Sequence, residues 1–243
     1  KFFLGLGRLN QLHRHDWPFI ADPKAHETFF AEEAASDTGA QANVLLNFLP
    51  VYTDIGLGLT NGWTFGHSHS QGSKPVKPTH YARVGNFFPL GESGGLQTGL
   101  NYLGRHSRTD GQMKIFGLDL TGKWRRAGTL TWLLQSELWG RNIRPPGARL
   151  ERPFGGYLYA QRNLFGPIDL GLRLDGYSVD TSAEKNLDYT YLANLAYRHS
   201  EFALFKMGYQ LDYEKRDHRN SLVNRVWQLQ ATFLLGDHPS HDF

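Results

Sequence analysis

The sequence predicts an all-β fold: an antiparallel transmembrane β-barrel of about 12 strands, with short periplasmic turns and long extracellular loops. Three observations carry this. Apolar and polar residues alternate over runs of ten or so positions, tight turns separate those runs at every second junction, and aromatic residues gather near the run ends. In the clearest run, Leu130, Trp132, Leu134, Ser136 and Leu138 share one face, with Thr131, Gln135, Glu137, Trp139 and Arg141 on the other. Such a division along a whole long strand fits one face in lipid and one in a polar lumen. Strands of soluble sandwiches usually run nearer five or six residues, so length favours the membrane.

Strands are expected near residues 2–12, 40–48, 51–62, 79–88, 95–105, 113–125, 129–141, 155–165, 168–178, 186–198, 202–214 and 224–235. Leu49-Pro50, Leu90 to Gly94, Arg126-Ala127-Gly128, Gly166-Pro167 and His199 to Glu201 read as the tight turns. The long polar connections run from Asp16 to Gly39, Trp63 to Thr79 and Asn142 to Phe154. This alternation puts both ends of the chain in the periplasm and the long loops outside. One domain is expected over 1–243. Trp124, Phe87 or Phe88, Phe165 and Phe233 lie near periplasmic strand ends, and Trp63, Tyr102, Trp139, Tyr177 and Tyr213 near outer ends, as two lipid-facing aromatic girdles would. The stretch from Phe29 to Ala35 is the one candidate helix, folding inward as a constriction or capping the barrel.

Composition narrows the function. The chain lacks cysteine, which excludes a disulfide scaffold, a thiolate metal site and a thiol nucleophile. Its 26 basic and 23 acidic residues are scattered, with no basic stripe for nucleic acid. No run reaches the roughly 20 apolar residues of a spanning helix, while a mean hydropathy of −0.47 suits half-polar barrel strands. Lys1 without a preceding signal peptide reads as a processed or shortened chain.

Two constellations could carry chemistry. The first is the lumen face, where Arg105, Asp119, Glu137, Arg141, Arg173, Asp175, Lys206 and Asp212 mix both signs, as a polar solute path or a structural ion-pair network would. The second is the loop histidines. His13 with His15, and His67 with His69, are spaced two apart, so each pair in extended chain offers two imidazoles to one ion, with Asp16 as an oxygen ligand. Zinc would suit such a site, solvated loop sequence is its plain alternative, and a pH-sensitive gate is a third reading. No nucleophile–base pattern supports an enzyme: His69-Ser70, His106-Ser107 and His199-Ser200 lack the neighbours a catalytic site requires.

The stretches Leu6-Gly-Arg-Leu-Asn-Gln-Leu-His-Arg-His-Asp-Trp-Pro-Phe19, Phe29-Phe-Ala-Glu-Glu33, Gly117-Leu-Asp-Leu-Thr121 and Leu235-Gly-Asp-His-Pro-Ser-His-Asp-Phe243 resemble bacterial outer-membrane proteins labelled zinc-regulated TonB-dependent receptors. The resemblance covers the barrel region only, without a plug domain, since this length supplies neither that domain nor a barrel of about 22 strands. It implies a bacterial outer-membrane location and a link to metal supply, with His13, His15 and Asp16 inside the matching stretch. The expected role is a porin-like channel or uptake protein for a metal ion such as zinc or a small metal complex. The alternative is a closed barrel that docks a periplasmic or outer-membrane protein. The expected partners are outer-membrane lipid and a small solute.

Overall fold

The structure is a computed structural model that describes residues 2–30, 34–63, 75–108, 111–180, 185–200, 202–215 and 222–234. The long strands are β3 (Gly39–Leu46), β4 (Tyr52–Thr60), β5 (Pro75–Leu90), β6 (Gly94–Ser107), β7 (Gly111–Arg126), β8 (Thr129–Arg144), β9 (Phe154–Phe165), β10 (Ile168–Asp180), β11 (Lys185–Ser200), β12 (Ala203–Lys215) and β13 (Leu222–Phe233). Each pairs antiparallel with its neighbour in sequence, making one 11-stranded sheet from β3 to β13. This up-and-down order lets every inner strand satisfy its backbone on both sides, as a wall in lipid requires. Ahead of it, β1 (Phe2–Phe3) pairs antiparallel with β2 (Ser36–Asp37).

The strands follow the alternating pattern because parity fixes which side chains share a face. At the hairpin between β7 and β8, Ala127 (φ 48°) and Gly128 (φ 79°) are both left-handed, the geometry a two-residue type I′ turn needs. Leu57, Leu118, Leu138, Leu158, Leu172 and Leu174 project outward and are exposed. Their opposites Asp119, Glu137, Tyr159, Arg173 and Asp175 are buried. Exposed leucines outside and buried charges inside invert the arrangement of a soluble protein, and the apolar belt matches a lipid-facing wall.

One expected strand, 2–12, is different. Only Phe2–Phe3 is strand; the chain then leaves the sheet through Gly7 (φ 63°) and two 3₁₀ turns, Leu9–Gln11 and Arg14–Asp16, before helix α1 (Lys24–Phe30). Residues 2–30 and 34–37 thereby pack against the inner face of the sheet rather than forming a strand and an outer loop. The physical reason is their apolar content: Leu4, Leu6, Leu9, Trp17, Phe19, Phe29 and Phe30 are all buried. They form two clusters with inward wall residues, one around Tyr81, Leu103, Ile115, Trp139 and Tyr177, the other around Leu133, Tyr157, Tyr159 and Leu192.

The girdles need a matching correction. Trp139 is 1% and Tyr177 5% exposed, because both face inward, with Trp139 against Phe30 and Tyr177 against Phe29. Phe165, Tyr213 and Phe233 are exposed, as girdle residues would be.

Leu172, 58% exposed at the middle of β10, tests the wall. Leu172→Arg is expected to cost about 2–4 kcal/mol in a bilayer. Denaturant titration of the folded band in lipid vesicles checks this, and an unchanged midpoint would mean that the residue does not meet hydrocarbon.

Candidate functional site

The candidate site is the lumen, where polar wall side chains meet the backbone of the N-terminal segment. Glu137 on β8 is the principal anchor. Its Oε1 accepts the Arg8 and Leu9 amides at 2.7 and 2.8 Å, and its Oε2 accepts the Trp139 indole N–H at 2.9 Å. A carboxylate suits this place because the first N–H groups of the turn Leu9–Gln11 have no partner within the turn. Gly7 must lie close by: a Cβ there would stand 2.6 Å from the Trp139 ring, and φ is already left-handed. The Gly7 amide donates to Asn101 Oδ1 at 2.8 Å, while Asn101 Nδ2 donates to Asp119 at 2.7 Å and Arg83 pairs with Asp119 at 2.8 Å.

A second anchor set holds residues 17–28. Arg173 is 1% exposed and makes a two-pronged pair with Asp175 at 2.8 and 2.9 Å. The same guanidinium donates to the carbonyls of Ala21 and Asp22 and covers the Phe19 ring at 4.5 Å. Lys206 donates to the Trp17 carbonyl, Tyr159 to the Pro18 carbonyl at 3.2 Å, and Arg141 to the Thr28 carbonyl at 3.2 Å. Arg141 also lies over Phe29 at 4.9 Å. Away from the segment, Asp212 accepts Thr190 at 2.7 Å and Arg105 donates to the Gly62 carbonyl at 3.4 Å. Thus Glu137, Arg141, Arg173 and Lys206 touch the segment directly, Asp119 and Asp175 through a neighbour, and Arg105 and Asp212 serve the wall.

The segment separates two unlike pockets. On the periplasmic side lies a cavity of about 210 Å³ whose lining includes Arg8, Lys123, Arg198 and Lys206 with Asp16 and Asp169. Between α1 and the outer ends of β11 and β12 lies a smaller one of about 110 Å³, lined by Asp22, Glu27, Asp188, Asp212 and Glu214 with Lys24. The inner side is predominantly cationic and the outer side anionic.

Of the metal candidates, His13 and His15 come together with ring centroids 5.3 Å apart and planes 7° from parallel. His15 Nε2 lies 3.5 Å from Asp16 Oδ1. Stacked rings aim their in-plane lone pairs along separate lines, unlike the convergent pair expected from an extended chain; the turn Arg14–Asp16 is the cause. His67 and His69 lie outside the described residues, as do Glu32, Glu33 and 235–243. No group of three or more potential ligands occurs among the described residues.

Sequence reasoning passed over Asn10 and Asn101, and placed His26 only among the ionisable histidines of the first two long loops. Asn10 is buried and accepts the Ala35 amide at 2.7 Å, tying the two ends of the segment together. His26 on α1 is 1% exposed, stands edge-on to Trp17 at 5.2 Å and packs on Phe30 at 5.4 Å, and neither ring nitrogen finds a hydrogen-bond partner. Burial pushes its pKa down from 6.5 to about 3. The usable signal was a histidine three and four residues before Phe29 and Phe30, the i+3 and i+4 positions of one helix face.

No family model matches the chain. Along its whole length it is similar to an uncharacterized protein of Aquifex aeolicus (strain VF5), 26% identical over 285 aligned positions, of which it spans 59%. Its fold is similar to the outer membrane channel DcaP of Acinetobacter baumannii, with a TM-score of 0.57 at 11% identity over 82% of this chain and 63% of that one. The chain therefore spans less than two thirds of either protein. The likeness is one of fold, that of an outer-membrane β-barrel.

His26 gives the seated segment a pH dependence of definite sign. With the pKa lower when seated than when released into water, protonation favours release. Seating is expected to be independent of pH above about 6.5 and to weaken by roughly 1.4 kcal/mol per unit as pH falls below it. Protease cleavage within residues 2–37 of the vesicle-inserted protein, followed from pH 7.5 to 4.5, measures this. His26→Phe should flatten the wild-type slope, and identical slopes would remove His26 as the cause.

Proposed function

We propose that this chain forms the wall and gate of a bacterial outer-membrane channel for small polar solutes, with residues 2–30 and 34–37 as the gate. The single observation that carries the reading is how that segment is held. Glu137, Asn101, Arg173, Tyr159, Arg141 and Lys206 bond its backbone, whereas the wall's own backbone bonds run from strand to strand and do not depend on it. Water could replace these side-chain bonds at modest net cost, about 0.5–1.5 kcal/mol for an ordinary one. The wall would stay intact. Exposing Trp17, Phe19, Phe29 and Phe30 opposes release, so the closed state is the resting one.

On this reading the protein passes solutes and is not an enzyme, since its buried charges are engaged with one another and with the gate. The anionic outer pocket and cationic inner cavity would give an open path a field along its axis, weakly selective because both signs occur. Uptake of zinc or a small metal complex is a narrower form, resting on the close spacing of His13, His15 and Asp16 in the sequence and not on the stacked geometry of the two rings.

In planar bilayers the wild type is expected to be mostly closed at neutral pH. Glu137→Ala removes charge-assisted bonds worth about 1.5–3 kcal/mol each, so open probability should rise by roughly 10- to 100-fold or more. A folded variant that still conducts nothing would overturn the channel reading in favour of the closed docking barrel.

The metal form has its own test. Calorimetric titration with zinc should show binding that weakens as pH falls through about 6.5 and disappears in the His13→Ala, His15→Ala double variant. Equal affinity in that variant would return both histidines to ordinary loop residues.

A further inference from the structure

The outward face of β5 to β8 changes character along the strands, in rows that run across the wall because ladder partners share a face. Leu100, Leu118 and Leu138 make an exposed apolar row. The next row toward the outer ends is aromatic, with the Tyr102 and Phe116 ring centroids 5.2 Å apart. Beyond it come His80, Lys114 and Asn142, and then His106, Gln112 and Arg144. His80 leans over Gly104, where a Cβ would stand 2.5 Å from its ring, and its Nε2 lies 3.5 Å from the Tyr102 hydroxyl. His80, Gln112, Lys114 and Arg144 are exposed while Met113 and Ile115, on either side of Lys114, are buried, so these rows face away from the lumen.

Strand geometry sets the depth of these rows. Trp124 and its register partner Trp132 mark the inner end of the same face. From Trp124 to Phe116 on β7 is about 27 Å along the strand at about 3.4 Å per residue, or about 21 Å across the membrane at a tilt of about 40°. The apolar band of such barrels is about 25 Å tall, so Phe116 lies near the outer limit of hydrocarbon and Lys114 and Arg144 stand at the headgroups. The only acidic residues on these four strands, Asp119 and Glu137, are buried on the lumen side. Neither Lys114 nor Arg144 is ion-paired among the described residues.

We propose that this outer rim of β5 to β8 is a docking surface for the phosphorylated glycolipid of the outer leaflet, with Lys114 and Arg144 holding a phosphate of its saccharide head. The two cations are diagonal neighbours across β7 and β8, about 7–8 Å apart, a gap that one phosphate fills between two long side chains. Arg144 offers the planar fork that phosphate oxygens accept in pairs, and Lys114 adds a compact charge. Gln112 and Asn142 flank them as donors to neighbouring oxygens of the head. The Tyr102 and Phe116 rings lie one row deeper, where acyl chains leave the saccharide. Charge complementarity selects this occupant: a cationic rim directly above an apolar belt fits an anionic head on hydrocarbon tails.

Native mass spectrometry of the folded protein in nonionic detergent, titrated with diphosphorylated lipid A, tests this. The wild type should retain the lipid, and removing both phosphates from the lipid should weaken retention by about tenfold or more. The double variant Lys114→Gln, Arg144→Gln should lose as much. Arg162, which lies 5.2 Å over the Trp132 ring at the inner end of the wall, is the control, and Arg162→Gln should retain the lipid as the wild type does. Equal retention of the dephosphorylated lipid by the wild type, a comparison that needs no variant to fold, would overturn the proposal. Failure of the wild type to retain lipid A would do the same, as would an equal loss in Arg162→Gln. Phosphatidylglycerol held as tightly as lipid A would make the rim a general anionic-lipid face and would also overturn it.

Discussion

Backbone peptide groups must find partners wherever water is absent, and this requirement shapes every level of the structure. In the wall it selects long antiparallel strands linked by tight turns, each bonded on both sides from β4 to β12. In the lumen, residues 2–30 and 34–37 are largely irregular and leave many of their amides and carbonyls without partners of their own. The wall supplies what they lack through Glu137, Asn101, Arg173, Tyr159 and Lys206.

The segment in the lumen is held by two kinds of interaction with different consequences. Aromatic burial is large and non-directional, and it favours the closed arrangement. Side-chain bonds to the backbone are directional and exchangeable with water, and they fix where the segment sits. Gly7, wedged between Glu137 and Trp139, shows how closely the two are combined, since one carboxylate holds both the turn's amides and the ring that packs on Phe30. His26 is a polar group within the apolar part. Neutral, it packs as one more ring; charged, it would lack any compensating partner there.

Inward aromatics such as Trp139, Tyr159 and Tyr177 account for the main difference from expectation. A lumen containing only water and solute would have no use for them, so aromatic residues near strand ends read naturally as girdles. Their parity on the strand already put Trp139 with Glu137 and Tyr177 with Arg173 and Asp175. Parity was the stronger guide, because the pleat dictates facing while position along the strand sets only depth.

The sequence by itself determined the wall: strand positions, turn chemistry and the facing of Leu172 against Arg173 follow from a period of two that any lipid-spanning strand must keep. It also indicated the inward charges, because charges on the lipid face are costly. What only the tertiary structure decided is the fate of residues 4–30 and 34–37. Their apolar residues follow no strand or helix period, and whether they are buried depends on a surface built from β5 to β12, remote in sequence. Glu137 is likewise legible as a lumen carboxylate but not as the acceptor of the Arg8 and Leu9 amides, since local pattern contains no information about which backbone arrives from 128 residues away.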